Sequence, residues 1–89
     1  MKTIEEFIDY VGERYDATIN SDDAISKFYY TLFLERFNLS NVKRVKRILA
    51  DYLVGFQKYI DDNSISEQYK EYCKRSFVII SDLWNYLMS

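Results

Sequence analysis

The chain has 89 residues, 48% of them apolar, with 12 basic and 14 acidic side chains for a formal net charge of −2. That length suits one core rather than two, and so apolar a composition excludes an intrinsically disordered chain. With no histidine, one cysteine, no proline and two glycines, the composition excludes thiol–imidazole catalysis, an internal disulfide framework, a Gly-rich phosphate loop and a turn-rich all-β fold.

The first element opens at Thr3, which with Glu6 has capping-box spacing. Ile4, Phe7, Ile8, Val11 and Tyr15 then fall on one face of a helix over residues 4–15, and Glu5, Glu6, Asp9 and Glu13 on the other. Ser21 is the next expected N-cap, opening a helix over 22–37. Ala24, Ile25, Phe28, Tyr29, Leu32 and Phe33 form its broad stripe, and Tyr30, Leu34 and Phe37 lie off it. A helix apolar nearly all round is sandwiched between neighbours, so this one is expected to be the most buried.

Ser40 is the expected cap of the third helix, whose stripe of Val42, Val45, Leu49, Tyr52, Leu53, Phe56 and Ile60 is the longest regular apolar pattern in the chain. The short connection of Asn38, Leu39 and Ser40 predicts that the second and third helices are adjacent. Ser64 and Glu67 repeat the capping-box spacing ahead of a fourth helix from Ile65 to about Leu87, with Ile65, Tyr69, Tyr72, Cys73, Ile79, Ile80, Leu83 and Leu87 on its stripe.

These elements predict an all-α, compact four-helix bundle with short loops, one domain over residues 1–89, its first helix the shortest and its last the longest. No run of about 18 apolar residues is present, so no membrane association is expected. The N-terminus is acidic where a secretory signal is basic, and Cys73 is alone, so the expected setting is the cytoplasm. The same poverty of catalytic groups predicts a protein that is not an enzyme, with no cofactor, no metal and no small-molecule substrate.

Three surfaces remain as candidates for function. Glu6, Asp9 and Glu13 share the acidic face of the first helix, which could meet a basic protein partner or, as solvated carboxylates, nothing at all. Phe77 and Trp84 lie off the stripe of the last helix, in a segment with nine apolar residues in twelve, and mark a surface for a partner protein or for self-association. Lys43, Arg44, Lys46 and Arg47 crowd the start of the third helix, where the helix dipole prefers anions. Residues 40–60 carry five basic and one acidic side chain, net +4, against −4 for residues 1–39 and −2 for 61–89.

The run from Leu34 through Ser40 into Val42-Lys43-Arg44-Val45 resembles a helix-turn-helix junction, with Phe33, Phe37 and Leu39 at its apolar positions and Asn38 where the motif has a turn glycine. That resemblance implies duplex DNA binding by the basic start of the third helix. In size, class and lack of chemistry the whole chain is similar to small immunity, inhibitor and adaptor proteins, which implies protein binding as its leading function.

Overall fold

The stripe centred on Leu49 faces the core as its spacing predicts: Val45 and Leu49 have no exposed surface. Val42, Tyr52, Leu53 and Phe56 pack around them. These residues belong to helix α3 (Val42–Ile60), which follows α1 (Ile4–Thr18) and α2 (Ala24–Phe37) and precedes α4 (Glu67–Met88) in a computed structural model that describes residues 1–89. The protein is an all-α four-helix bundle with no strand. It measures 40 × 31 × 20 Å, so its thinnest direction is about two helix diameters.

The Thr3 cap forms as expected. Its hydroxyl accepts from the Glu6 amide at 3.1 Å, and its own amide donates to the Glu6 carboxylate at 3.0 Å. The helix it opens runs three residues beyond Tyr15, because nothing in Asp16-Ala17-Thr18 breaks it. Thr18 donates back to the Tyr15 carbonyl at 3.0 Å, which satisfies one of the last turn's free acceptors. With that extension α2, at 14 residues, is the shortest helix, and α4, at 22, is the longest.

Three caps differ from the expected ones, each for a local reason. Ser21 closes α1 instead of opening α2, donating its hydroxyl to the Thr18 carbonyl at 2.8 Å. Asp23 caps α2, accepting from the Ser26 amide at 3.1 Å and the Ser26 hydroxyl at 2.6 Å. Ser40 gives its amide to the Phe37 carbonyl at 3.0 Å, and its hydroxyl is buried without a partner. Asn41 caps α3 instead, through the Arg44 amide at 2.9 Å. Ser64 is held by the Asp62 carboxylate at 2.7 and 2.8 Å, so Ser66 caps α4 through the Tyr69 amide at 3.3 Å. At Ser21 and Ser64 the earlier hydroxyl already donates within the preceding turn, whereas at Ser40 only the amide does.

The helices associate as two hairpins, α1 with α2 and α3 with α4, which make the closest backbone approaches. The short α2–α3 link does not bring those two helices together along their backbones. They meet through large rings instead: Tyr29 packs edge-on against Tyr52 and Phe56 at 6.1 and 6.2 Å, and Phe33 against Tyr52 at 5.9 Å. As expected, α2 is the most buried helix for its length, with five of 14 residues inside against six of 22 in α4. Its buried face is nevertheless Ser26, Tyr29, Tyr30, Phe33 and Phe37, while Phe28, expected inside, is 57% exposed.

Polar contacts join the two hairpins at either end of the core. At one end Arg75 on α4 donates to Asp23, and beneath it Tyr29 donates to the fully buried Ser76 hydroxyl at 3.1 Å and is hydrogen-bonded to the Tyr72 hydroxyl at 3.2 Å. At the other end Tyr10 lies flat on Tyr86, ring centroids 3.9 Å apart and 4° from parallel, and its hydroxyl donates to Asp82 at 2.9 Å. Arg14 pairs with the same carboxylate at 3.4 Å. The Lys2 amide donates to the Leu87 carbonyl at 2.9 Å, so the start of α1 reaches the last turn of α4.

Candidate functional site

Because rings rather than backbones bridge α2 and α3, a groove opens between the helices. Its larger part, about 490 Å³, is bordered by Arg36 on α2 and by Ile48, Tyr52, Gly55, Phe56 and Tyr59 on α3. A smaller part, about 170 Å³, continues from it past Phe33 and Phe37 to Arg44. The two share Arg36, Ile48 and Tyr52, so they adjoin along the same α2–α3 face. From Arg44 to Tyr59 they follow about 22 Å of helix, at 1.5 Å per residue.

Helical spacing explains the groove's shape. Arg44, Ile48, Tyr52 and Phe56 form one row at four-residue steps, and Arg47, Asp51, Gly55 and Tyr59 form the next. Such rows are the ridges into whose intervening groove a neighbouring helix packs. Gly55 leaves a gap in the second ridge. A Cβ there would meet nothing within 4 Å, so no neighbour in the free molecule requires glycine. Glycine inside a helix costs about 1 kcal/mol relative to alanine. Gly12 on α1 is equally open but borders none of the larger cavities.

The groove is apolar along its floor and cationic at one end. Arg36 and Arg44 approach from different helices, and neither forms an ion pair; the three ion pairs of the molecule are Arg14–Asp82, Lys74–Glu71 and Arg75–Asp23. Asp51 is the single carboxylate on the wall. No nucleophile, paired carboxylate or imidazole lines the groove, and Cys73 is buried in α4. What this arrangement can do chemically is bind an apolar surface and orient a negative charge beside it.

The residues singled out in the sequence are scattered over the molecule. Arg44 alone lines the groove; Lys43 and Arg47 are exposed nearby on α3, and Lys46 is half-buried. The turn before them lacks the apolar lock that a helix-turn-helix junction uses, because Leu39 is 97% exposed while Phe33 and Phe37 are buried. Asn38 takes the right-handed conformation, at φ −54° and ψ −38°.

On α1, Glu6 is committed to the Thr3 cap, whose hydrogen bonds, with the backbone one foremost, hold its carboxyl below the usual range. Asp9 borders a small cleft of about 240 Å³ with Ile4, Ile8 and Asn38, and Glu13 is exposed. The three do not converge into a group able to hold a metal ion. On α4, Ile79, Ile80, Leu83 and Leu87 are buried, Phe77 and Trp84 are half-buried, and Trp84 packs on the core. The apolar surface left there consists of Val78, 57% exposed, and Met88, 36% exposed, beside the rims of Phe77 and Trp84.

Arg36, Ile48, Tyr52, Gly55 and Tyr59 were not apparent as site residues from the sequence. The signal that could have found them is a glycine inside a strongly amphipathic helix, flanked at four-residue steps by Asp51 and Tyr59. No helix is long and apolar enough to cross a membrane. Comparison with family models, with curated proteins and with solved structures finds no match for the chain.

Proposed function

We propose that the chain is a non-enzymatic binding protein of the inhibitor, immunity or adaptor kind, working in the reducing interior of the cell, and that its partner protein docks in the α2–α3 groove. The observation that carries the reading is the coincidence of the Gly55 gap with the aromatic floor of Tyr52 and Phe56. A gap with no internal use beside half-buried rings suits the close approach of another chain. The groove is long and open, which suits a segment of protein better than an enclosed small molecule. The single buried Cys73 supports the reducing setting.

A photo-crosslinking side chain at Tyr59, Glu13 or Val78, introduced in the host cell, tests the reading. A protein adduct formed from position 59 and lost when Gly55→Trp fills the groove is expected. Protein adducts formed from positions 13 or 78 and unaffected by Gly55→Trp would overturn the groove as the site.

The unpaired state of Lys43, Arg44 and Arg47 favours a second reading, in which the start of α3 meets duplex DNA. Duplex binding at about 50 mM salt that weakens steeply with added salt and is lost in Arg44→Ala with Arg47→Ala would support it. Absence of such binding removes it.

A further inference from the structure

The groove's chemistry is graded along its length. Arg44 occupies the end near the start of α3 and Phe56 and Tyr59 the other, while Arg36 borders both parts from α2 and Asp51 and Gly55 lie between on α3. The geometry points to an acidic amphipathic helix of a partner protein as the occupant, an inference that rests on the groove being the docking site.

Charge complementarity selects the acidic character. Residues 40–60 carry net +4 in a chain whose total is −2, so the groove borders the basic zone of an otherwise acidic molecule. Both groove-lining guanidiniums lack an internal carboxylate, which leaves their donors free for one supplied from outside. Such complementarity acts mainly on association rate and specificity, while the aromatic floor supplies the contact area.

Ridge geometry selects the helix. The bundle offers no strand edge to extend, so an added strand has nothing to pair with. The rows Ile48-Tyr52-Phe56 and Asp51-Gly55-Tyr59 instead form two ridges with a furrow between them, and the missing Cβ of Gly55 lets a third helix settle across the second ridge. The occupant then places apolar residues at three- and four-residue steps over Tyr52 and Phe56. It puts a carboxylate over Arg36 and Arg44, and a neutral residue over Asp51.

A displayed library of helix-favouring peptides about 15 residues long, matching the groove's length, is selected against the whole chain. Enriched peptides are then measured on wild type, Gly55→Trp, and Arg36→Glu with Arg44→Glu. The expected set is net acidic with helical apolar spacing, loses at least tenfold in affinity on each variant, and weakens with added salt. Circular dichroism confirms that each variant is folded, and should Gly55→Trp unfold, the arginine reversal and the milder Gly55→Ala decide. Basic or neutral peptides that still need Gly55 would overturn the acidic class and keep the groove. Peptides indifferent to Gly55→Trp, or no enrichment at all, would overturn both. A dimer of the chain alone that Gly55→Trp abolishes would make the occupant a second copy and overturn the proposal.

Discussion

Arg75, on the third turn of α4, donates to the same Asp23 carboxylate that caps the start of α2. One side chain thus opens a helix and ties the two hairpins together. The Ser26 hydroxyl, with Arg75 and the Ser26 amide, pulls the Asp23 carboxyl down to about 2. A carboxyl lowered in the folded state adds stability above its unfolded value near 3.8, and that stability is lost as pH falls towards 2. Because the pair is partly solvated, the contribution is about 1 kcal/mol. Acid titration of Asp23→Asn should therefore run parallel to wild type below pH 2 and lie under it by about that amount above pH 4. Equal stability at neutral pH would show that the ion pair is idle.

Tyr29 and Ser76 make a second tie just below. Burial pushes the Tyr29 hydroxyl well above its ordinary value, so it acts as a donor at all accessible pH. Tyr29→Phe leaves the fully buried Ser76 hydroxyl without this bond and should cost about 1–2 kcal/mol. Adding Ser76→Ala should recover part of the loss, since the fully buried Ser76 hydroxyl is then gone and only the half-buried Tyr72 hydroxyl has lost its partner. Strict additivity in chemical denaturation would contradict the pairing.

Leu49 and Leu39 are the same residue type in opposite circumstances. Leu49 has no exposed surface and Leu39 is 97% exposed. Leu49→Ala should destabilise by about 3 kcal/mol, a large share of the margin of so small a protein. Leu39→Ser should stay within about 0.5 kcal/mol. A large loss at Leu39 would restore the locked helix-turn-helix turn.

These contrasts show what a linear pattern can carry. The Leu49 stripe and the Thr3–Glu6 cap depend on neighbours within one or two turns, so spacing alone exposes them. The choices between Ser21 and Asp23, Ser40 and Asn41, and Ser64 and Ser66 do not. Each pair offers two competent caps, and at Ser21 and Ser64 the preceding turn has already taken one; for Asp23 the outcome also depends on Arg75, 52 residues away. The groove is least visible of all. Its width follows from Tyr29, Phe33, Tyr52 and Phe56 holding two helices apart, and its cationic end joins Arg36 and Arg44 across the α2–α3 loop.

Trp84 packs on the core while keeping one edge in water. Its fluorescence should be blue of free tryptophan and independent of protein concentration. Trp84→Ala should lower monomer stability by about 2 kcal/mol, less than the full cost of emptying a buried aromatic site. Emission that moves to the blue on concentration, with little effect of the substitution on monomer stability, would instead make the α4 end a self-association surface.

The most direct test of the central claim follows the backbone amides of the isotope-labelled chain as an enriched acidic helical peptide is added. Shifts concentrated at Ile48, Tyr52, Gly55 and Phe56, together with Arg36 and Arg44, are predicted. Shifts confined to the acidic face of α1 around Glu13, or to Phe77 and Trp84 on α4, would contradict it.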